Sequence, residues 1–124
     1  MQSVKGSIFK NTIPTYNDGY FQLFRIKQGD EKYPVEKLVD TKEEICFEEL
    51  SITDKLRFAA EQREINLVGK IRIPQTKEID SLCVLKIGND YYSVYNIYHF
   101  TNDEGYKQSD ITLKEYRGPI NANN

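Results

Sequence analysis

The sequence predicts a mostly β protein: a small antiparallel β-barrel or sandwich with one short inserted α-helix (about residues 51–63) and a long loop (about residues 28–44). Three observations lead there. Apolar residues recur with period two through much of the second half, as in strands that bury one face. Asn17-Asp18-Gly19, Gly88-Asn89-Asp90 and Asn102-Asp103-Glu104-Gly105 are turn signals, built from residues that tolerate positive φ. Only one segment combines a helical period with a start signal.

In chain order, Ser7-Ile8-Phe9 is compatible with a short strand, and Asn17-Asp18-Gly19 turns the chain into a strand from Tyr20 to Ile26. Gln28-Gly29-Asp30-Glu31-Lys32 reads as a polar turn. Residues 33–44 admit two readings. Tyr33 to Val39 fits an edge strand with Pro34 near its start, and it fits equally a flexible loop running from Gln28 to Glu43. Ile45 to Leu50 returns to a strand pattern.

The helix follows. Ser51-Ile52-Thr53-Asp54 has capping-box spacing, with Ser51 as the expected N-cap. Ile52, Leu56, Ala59 and Ala60 share one helical face, and the helix is expected to stop near Gln62 to Glu64. From Ile65 to Ile73 the period is two again, with Leu67, Ile71 and Ile73 inward and Lys70 and Arg72 outward; Pro74 ends the run. Cys83 to Ile87 and Tyr91 to Thr101 form a hairpin about Gly88-Asn89-Asp90. The apolar phase slips between Val94 and Ile97, which predicts a β-bulge near Tyr95. Asp110 to Tyr116 is the last strand. Residues 1–117 are read as one barrel-like domain and 118–124 as a flexible C-terminal tail.

At 124 residues the chain suffices for one modest core. Its apolar share of 39% argues against general disorder. No apolar run approaches the roughly 20 residues that span a bilayer. Met1-Gln2-Ser3-Val4-Lys5 opens no secretory leader, so a cytoplasmic protein without a membrane partner is expected. Seventeen Lys and Arg against 19 Asp and Glu leave a net charge of −2, unlike the basic excess of duplex-binding modules. Cys46 and Cys83, each in an apolar stretch and in no CxxC pattern, are expected as reduced thiols in or near the core. Nine Tyr and six Phe suit strands, and they suit interfaces as well.

No reactive constellation stands out. His99 is the sole histidine, without companions at metal-ligand spacing and without a nucleophile elbow elsewhere. A structural or surface role is expected for it. The seven glycines are scattered singly, with no phosphate-cradling pattern. Glu43-Glu44 and Glu48-Glu49 are adjacent in sequence, so on a strand they point to opposite faces. No enzyme activity, cofactor or metal is expected. A second reading is an OB-like β-barrel that binds single-stranded nucleic acid through strand tyrosines such as Tyr91, Tyr95 and Tyr98. It lacks a dense basic groove, because Lys70, Arg72 and Lys86 are dispersed and offset by acids.

From Glu48 to Tyr116 the order of elements resembles the small head–tail joining proteins of long-tailed bacteriophages and prophages, also called head-closure or stopper proteins. The segments that carry the resemblance are the helix Ser51 to Ala60 and the apolar-basic-apolar strand Gly69-Lys70-Ile71-Arg72-Ile73. The hairpin Ile87 to Val94 and the last strand Ile111-Thr112-Leu113-Lys114-Glu115 complete it. Slightly over half of the chain is covered. The family often carries Trp in its N-terminal half, and this chain has none.

The resemblance implies a structural connector that helps close the portal channel after DNA packaging and docks the tail. Its partners would be a portal or adaptor ring and tail components. The chain would form a homo-oligomeric ring in the particle and could stay monomeric when free, with no specific nucleic-acid binding. Its place would be the host cytoplasm during assembly and then the virion head–tail joint. The family's channel loop maps onto Gln28, Gly29, Asp30, Glu31, Lys32, Tyr33, Val35, Glu36, Lys37, Leu38, Lys42, Glu43 and Glu44. A polar, charged segment of that length is expected to be mobile.

Overall fold

Period-two burial and short turns produce six antiparallel strands. The computed structural model describes residues 14–28 and 36–120. The strands are β1 (Gly19–Gln28), β2 (Glu36–Leu50), β3 (Leu67–Pro74), β4 (Cys83–Ile87), β5 (Asp90–Thr101) and β6 (Lys107–Glu115). The helix α1 (Asp54–Glu61) lies between β2 and β3. The strand order is β1-β2-β3-β6-β5-β4, and β4 pairs back onto β1 to close the ring. The predicted mostly β, barrel-or-sandwich class with one short helix is the fold observed. The expected Ser7–Phe9 strand, the turn residues 29–32 and the tail residues 121–124 lie outside the described residues.

Closure is uneven, which explains why barrel and sandwich both describe the molecule. The β2–β3 ladder runs only from Glu48↔Arg72 to Leu50↔Lys70. The β4–β5 ladder runs only from Val84↔Ser93 to Ile87↔Asp90. Both lie at the end that carries α1, so that end is a barrel. Towards the other end β2-β1-β4 and β3-β6-β5 part into two three-stranded sheets. The connection from Gln75 to Leu82 crosses the parting and inserts Ile79 (3% exposed) between the sheets. These are the closed end and the split end.

The interior holds Phe21, Leu23, Phe47, Ile71, Ile73, Leu85, Val94, Ile111 and Leu113. The expected inward set Leu67, Ile71 and Ile73 is buried. A second cluster forms on the outer face, where Phe24, Leu38 and Val84 are covered by Ile26, Tyr91 and Tyr116. Its position follows from register: Leu23 and Leu85 face inward as a pair, so Phe24 and Val84 face outward. The chain after β6 bends back, and the Tyr116 hydroxyl donates to the Pro119 carbonyl at 2.6 Å. The β5–β6 register shifts between Val94 and Asn96, placing the bulge at Tyr95 as the sequence predicts. At Gly19 (φ 156°) a Cβ would meet the Phe47 ring at 2.9 Å, so the turn into β1 needs glycine.

Three expectations are corrected. The loop expected over residues 28–44 is strand from Glu36 onward, and Gln28 closes β1. Pairing decides this: Ile26↔Leu38 and Phe24↔Asp40 bring the second half of the segment onto β1, and Leu38 becomes fully buried. The helix is shorter than 51–63, and its N-cap is Thr53, whose Oγ1 accepts the Leu56 N–H at 3.2 Å. Leu50 still pairs with Lys70, so Ser51 and Ile52 are spent clearing the rim before the helix starts. Of its expected apolar face only Ala60 is buried. Cys83 is buried, whereas Cys46 is exposed. Phe47 points inward, so its neighbour Cys46 points out.

Candidate functional site

The candidate segment divides into a tip and an arm. Residues 29–35, which include Gly29, Asp30, Glu31, Lys32, Tyr33 and Val35, lie outside the described residues. The arm is a two-stranded ribbon: Gln28↔Glu36, Lys27↔Lys37 and Ile26↔Leu38 pair, while β4 reaches only to Arg25↔Cys83 and a Leu82 carbonyl bond to the Ile26 N–H at 2.8 Å. The last residue pairs of the ribbon therefore extend past the sheet. Leu38 anchors the ribbon against Phe24 and Val84.

Further along β2, the register jumps from Phe24↔Asp40 to Leu23↔Glu43, leaving Thr41 and Lys42 as extra residues. Lys42 takes φ 69°, a left-handed conformation uncommon for a residue with a Cβ. Local hydrogen bonds hold it there. Asp40 Oδ1 accepts the Lys42 N–H at 2.7 Å, and Thr41 Oγ1 donates to the Leu23 carbonyl at 2.7 Å. Gln22, Asp40, Lys42, Glu43 and Glu44 then line a shallow depression of about 280 Å³.

Glu43 pairs with Leu23 and Glu44 with Gln22, which sets them on opposite faces of β2, although both remain exposed and border the same depression. Glu43 nevertheless meets a carboxylate from elsewhere. Its hydrogen bond with Glu78 of the crossing connection holds the Glu43 carboxyl above its ordinary pKa, helped by desolvation and the neighbouring charge. Beside it Arg25 clasps the same connection, donating to Asp80 Oδ2 at 2.7 Å and to the Glu78 carbonyl at 3.3 Å. That hydrogen bond keeps the Asp80 carboxyl below the usual carboxylate range. Burial pushes the Cys83 thiol up, away from thiolate character.

The other chemistry-bearing residues do not converge. His99 Nδ1 lies 2.6 Å from the Ser109 hydroxyl, and Ser109 is only 1% exposed, which leaves little access for a substrate. Among the described residues no group of three or more His, Cys, Asp or Glu is placed to hold a metal ion. No helix among them is long and apolar enough to cross a membrane. Lys70 and Arg72 lie on the outer face of β3, and Lys86 lies across the ring on β4. Arg72 is already engaged by both Asp110 oxygens, at 2.7 and 3.0 Å, and sits 4.9 Å from the Phe100 ring centre. Tyr91 packs beside Phe24 and Tyr116 near the start of β5, whereas Tyr98 stacks on Phe100 towards the end of the same strand. Tyr91 and Tyr98 therefore lie in separate aromatic groups along one strand.

At the closed end a cavity of about 390 Å³ opens beside α1, lined by core side chains such as Phe47, Ile71, Tyr92 and Leu113 and by Arg57 and Lys70 at its rim. Sequence reasoning missed the Arg25–Asp80 clasp, the Arg72–Asp110 pair and the Glu43–Glu78 contact, because each joins residues far apart in the chain. The Asp40-Thr41-Lys42 kink had a local signal: an Asp whose side chain can accept the N–H two residues on. No protein-family model matches the chain, and no curated protein matches its sequence.

Proposed function

We propose that the chain is a structural connector of a phage or prophage, part of the head–tail joint that closes the portal channel after packaging and docks the tail. It acts without catalysis. In this reading copies form a ring between a portal or adaptor ring and the tail components, after assembly in the host cytoplasm. The observation that carries the proposal is the β1–β2 ribbon. It holds the candidate segment 29–35 at the end of a paired arm anchored by the buried Leu38, a geometry suited to presenting a short segment to a channel. The near-balanced charge supports it, since DNA must pass without adhering.

An OB-like single-strand binder is supported less well. Tyr91 and Tyr98 belong to separate aromatic groups at different points along β5, and Arg72, which lies over the Phe100 ring, is already paired with Asp110.

The test is genetic and biochemical. Phage deleted for the coding sequence should give DNA-filled heads that leak and carry no tails, and the purified chain should bind its portal or adaptor ring. Normal virions from the deletion would overturn the proposal. So would salt-sensitive binding of single-stranded DNA by the purified chain.

A further inference from the structure

The splitting of the barrel leaves two strands with an open long edge. Among the described residues, towards the split end β2 pairs only with β1, and β5 beyond Val94 pairs only with β6. An open edge is a template for another strand unless charge, proline or a bulge blunts it. The two edges differ in this respect. The β2 edge carries Asp40, Lys42, Glu43 and Glu44, and it is kinked at Lys42. Beyond its bulge at Tyr95 the β5 edge has no such protection: from Asn96 to Asn102 there is no Asp, Glu, Lys, Arg or Pro, in a chain that is 29% charged.

Register identifies the unused groups. The Lys107 carbonyl accepts the Gln75 N–H, so odd-numbered residues of β6 turn their backbone groups to β3 and even-numbered ones to β5. Gln108 and Asp110 pair with Phe100 and Tyr98. The N–H and C=O groups of Ile97, His99 and Thr101 therefore face the open side. Tyr98, 62% exposed, stacks on Phe100 at 5.5 Å on the outer face beside them.

We infer that this edge pairs with the β5 edge of a second copy, antiparallel across a two-fold axis. The segment is self-complementary for that purpose. Uncharged residues face uncharged residues, and an antiparallel pair exchanges both backbone bonds at every second facing residue. The two outer faces run on as one sheet, β3-β6-β5-β5-β6-β3, and bring the Tyr98–Phe100 stacks of both copies together. Aromatic cross-strand pairs are among the favourable ones. The same mode is closed to β2, whose acids would face acids. The inference does not rest on the connector reading.

The test is amide hydrogen exchange on the full chain over a range of concentrations, with sedimentation to read the mass. The expected result is a dimer in which the N–H groups of Ile97, His99 and Thr101 exchange more slowly as concentration rises. His99→Pro should keep the fold, because that N–H takes no part in the barrel, and should abolish the dimer. Tyr98→Lys, which puts like charges together near the axis, should weaken the dimer severalfold while leaving the melting temperature of dilute protein unchanged. A monomer at every concentration with these three amides freely exchanging would overturn the inference. A dimer that leaves them unprotected, or that survives His99→Pro, would do the same.

Discussion

The closed end and the split end of the barrel are held by different forces. At the closed end, ladders join neighbouring strands all the way round, and backbone bonds do the closing. At the split end the sheets are joined by side chains: Ile79 between them and Arg25 gripping Asp80 and the Glu78 carbonyl. Backbone ladders are insensitive to pH and to most substitutions, whereas a clasp of exposed ions and one apolar plug is sensitive to both. The end from which residues 29–35 depart is thus the more adjustable one.

The sharpest way to break this contrast is to remove the plug. Ile79→Ala should cost about 2–4 kcal/mol in urea denaturation, as for other buried Ile truncations. It should also speed amide exchange at the split end before the closed end. A cost below about 0.5 kcal/mol would mean that the connection merely overlies the sheets.

Next is the Arg72–Asp110 pair, which fastens β3 to β6 on the outer face with an Asp side chain only 9% exposed. Arg72→Ala strands that carboxylate and should cost about 2 kcal/mol, less than a fully buried pair because Arg72 is partly solvated. A double-mutant cycle with Asp110→Ala measures the coupling, and full additivity would remove the pair from the account.

The closed end can be probed at α1. Thr53→Ala should cost about 1 kcal/mol in thermal or urea denaturation, and Ser51→Ala only a few tenths. The reverse order would reinstate Ser51 as the cap.

The smallest effects concern pH at the split end. The carboxyl of Asp80 is depressed by Arg25, so its contribution is present above the ordinary carboxylate range and is lost as pH falls through the depressed value. Glu43 has the opposite sign. Its raised carboxyl costs stability above that raised value, and the cost is relieved as pH falls through it. Glu43→Gln should therefore stabilise the protein at neutral pH, by about 0.3 kcal/mol for such solvent-screened groups. Asp80→Asn should destabilise it there and flatten the loss in acid. A stability curve unchanged in shape by either substitution would argue against the clasp.

Legibility in the sequence followed the range of the interaction. The Tyr95 bulge was readable because a slip of apolar phase is a local signal, and the inward face of β3 was readable for the same reason. The helix was readable as a helix but not in its cap, since Ser51 and Thr53 are both capping residues, Ser the better by preference, and the Leu50–Lys70 pairing chooses between them. Residues 36–44 were ambiguous because Asp40-Thr41-Lys42-Glu43-Glu44 has no alternating pattern of its own; β1 imposes the strand on it from outside. Of the candidate segment, the charged, polar character was legible, and its division into arm and tip was not.

By itself, then, the sequence determined the fold class, the single helix, the turns and the phase of the buried faces, because period and turn chemistry are properties of neighbouring residues. Only the tertiary structure decided how completely the barrel closes. Closure depends on how far β2 and β5 outrun β3 and β4, and on Ile79, Arg25 and Asp80 meeting across the gap. Those are relations between distant segments. No local pattern encodes them.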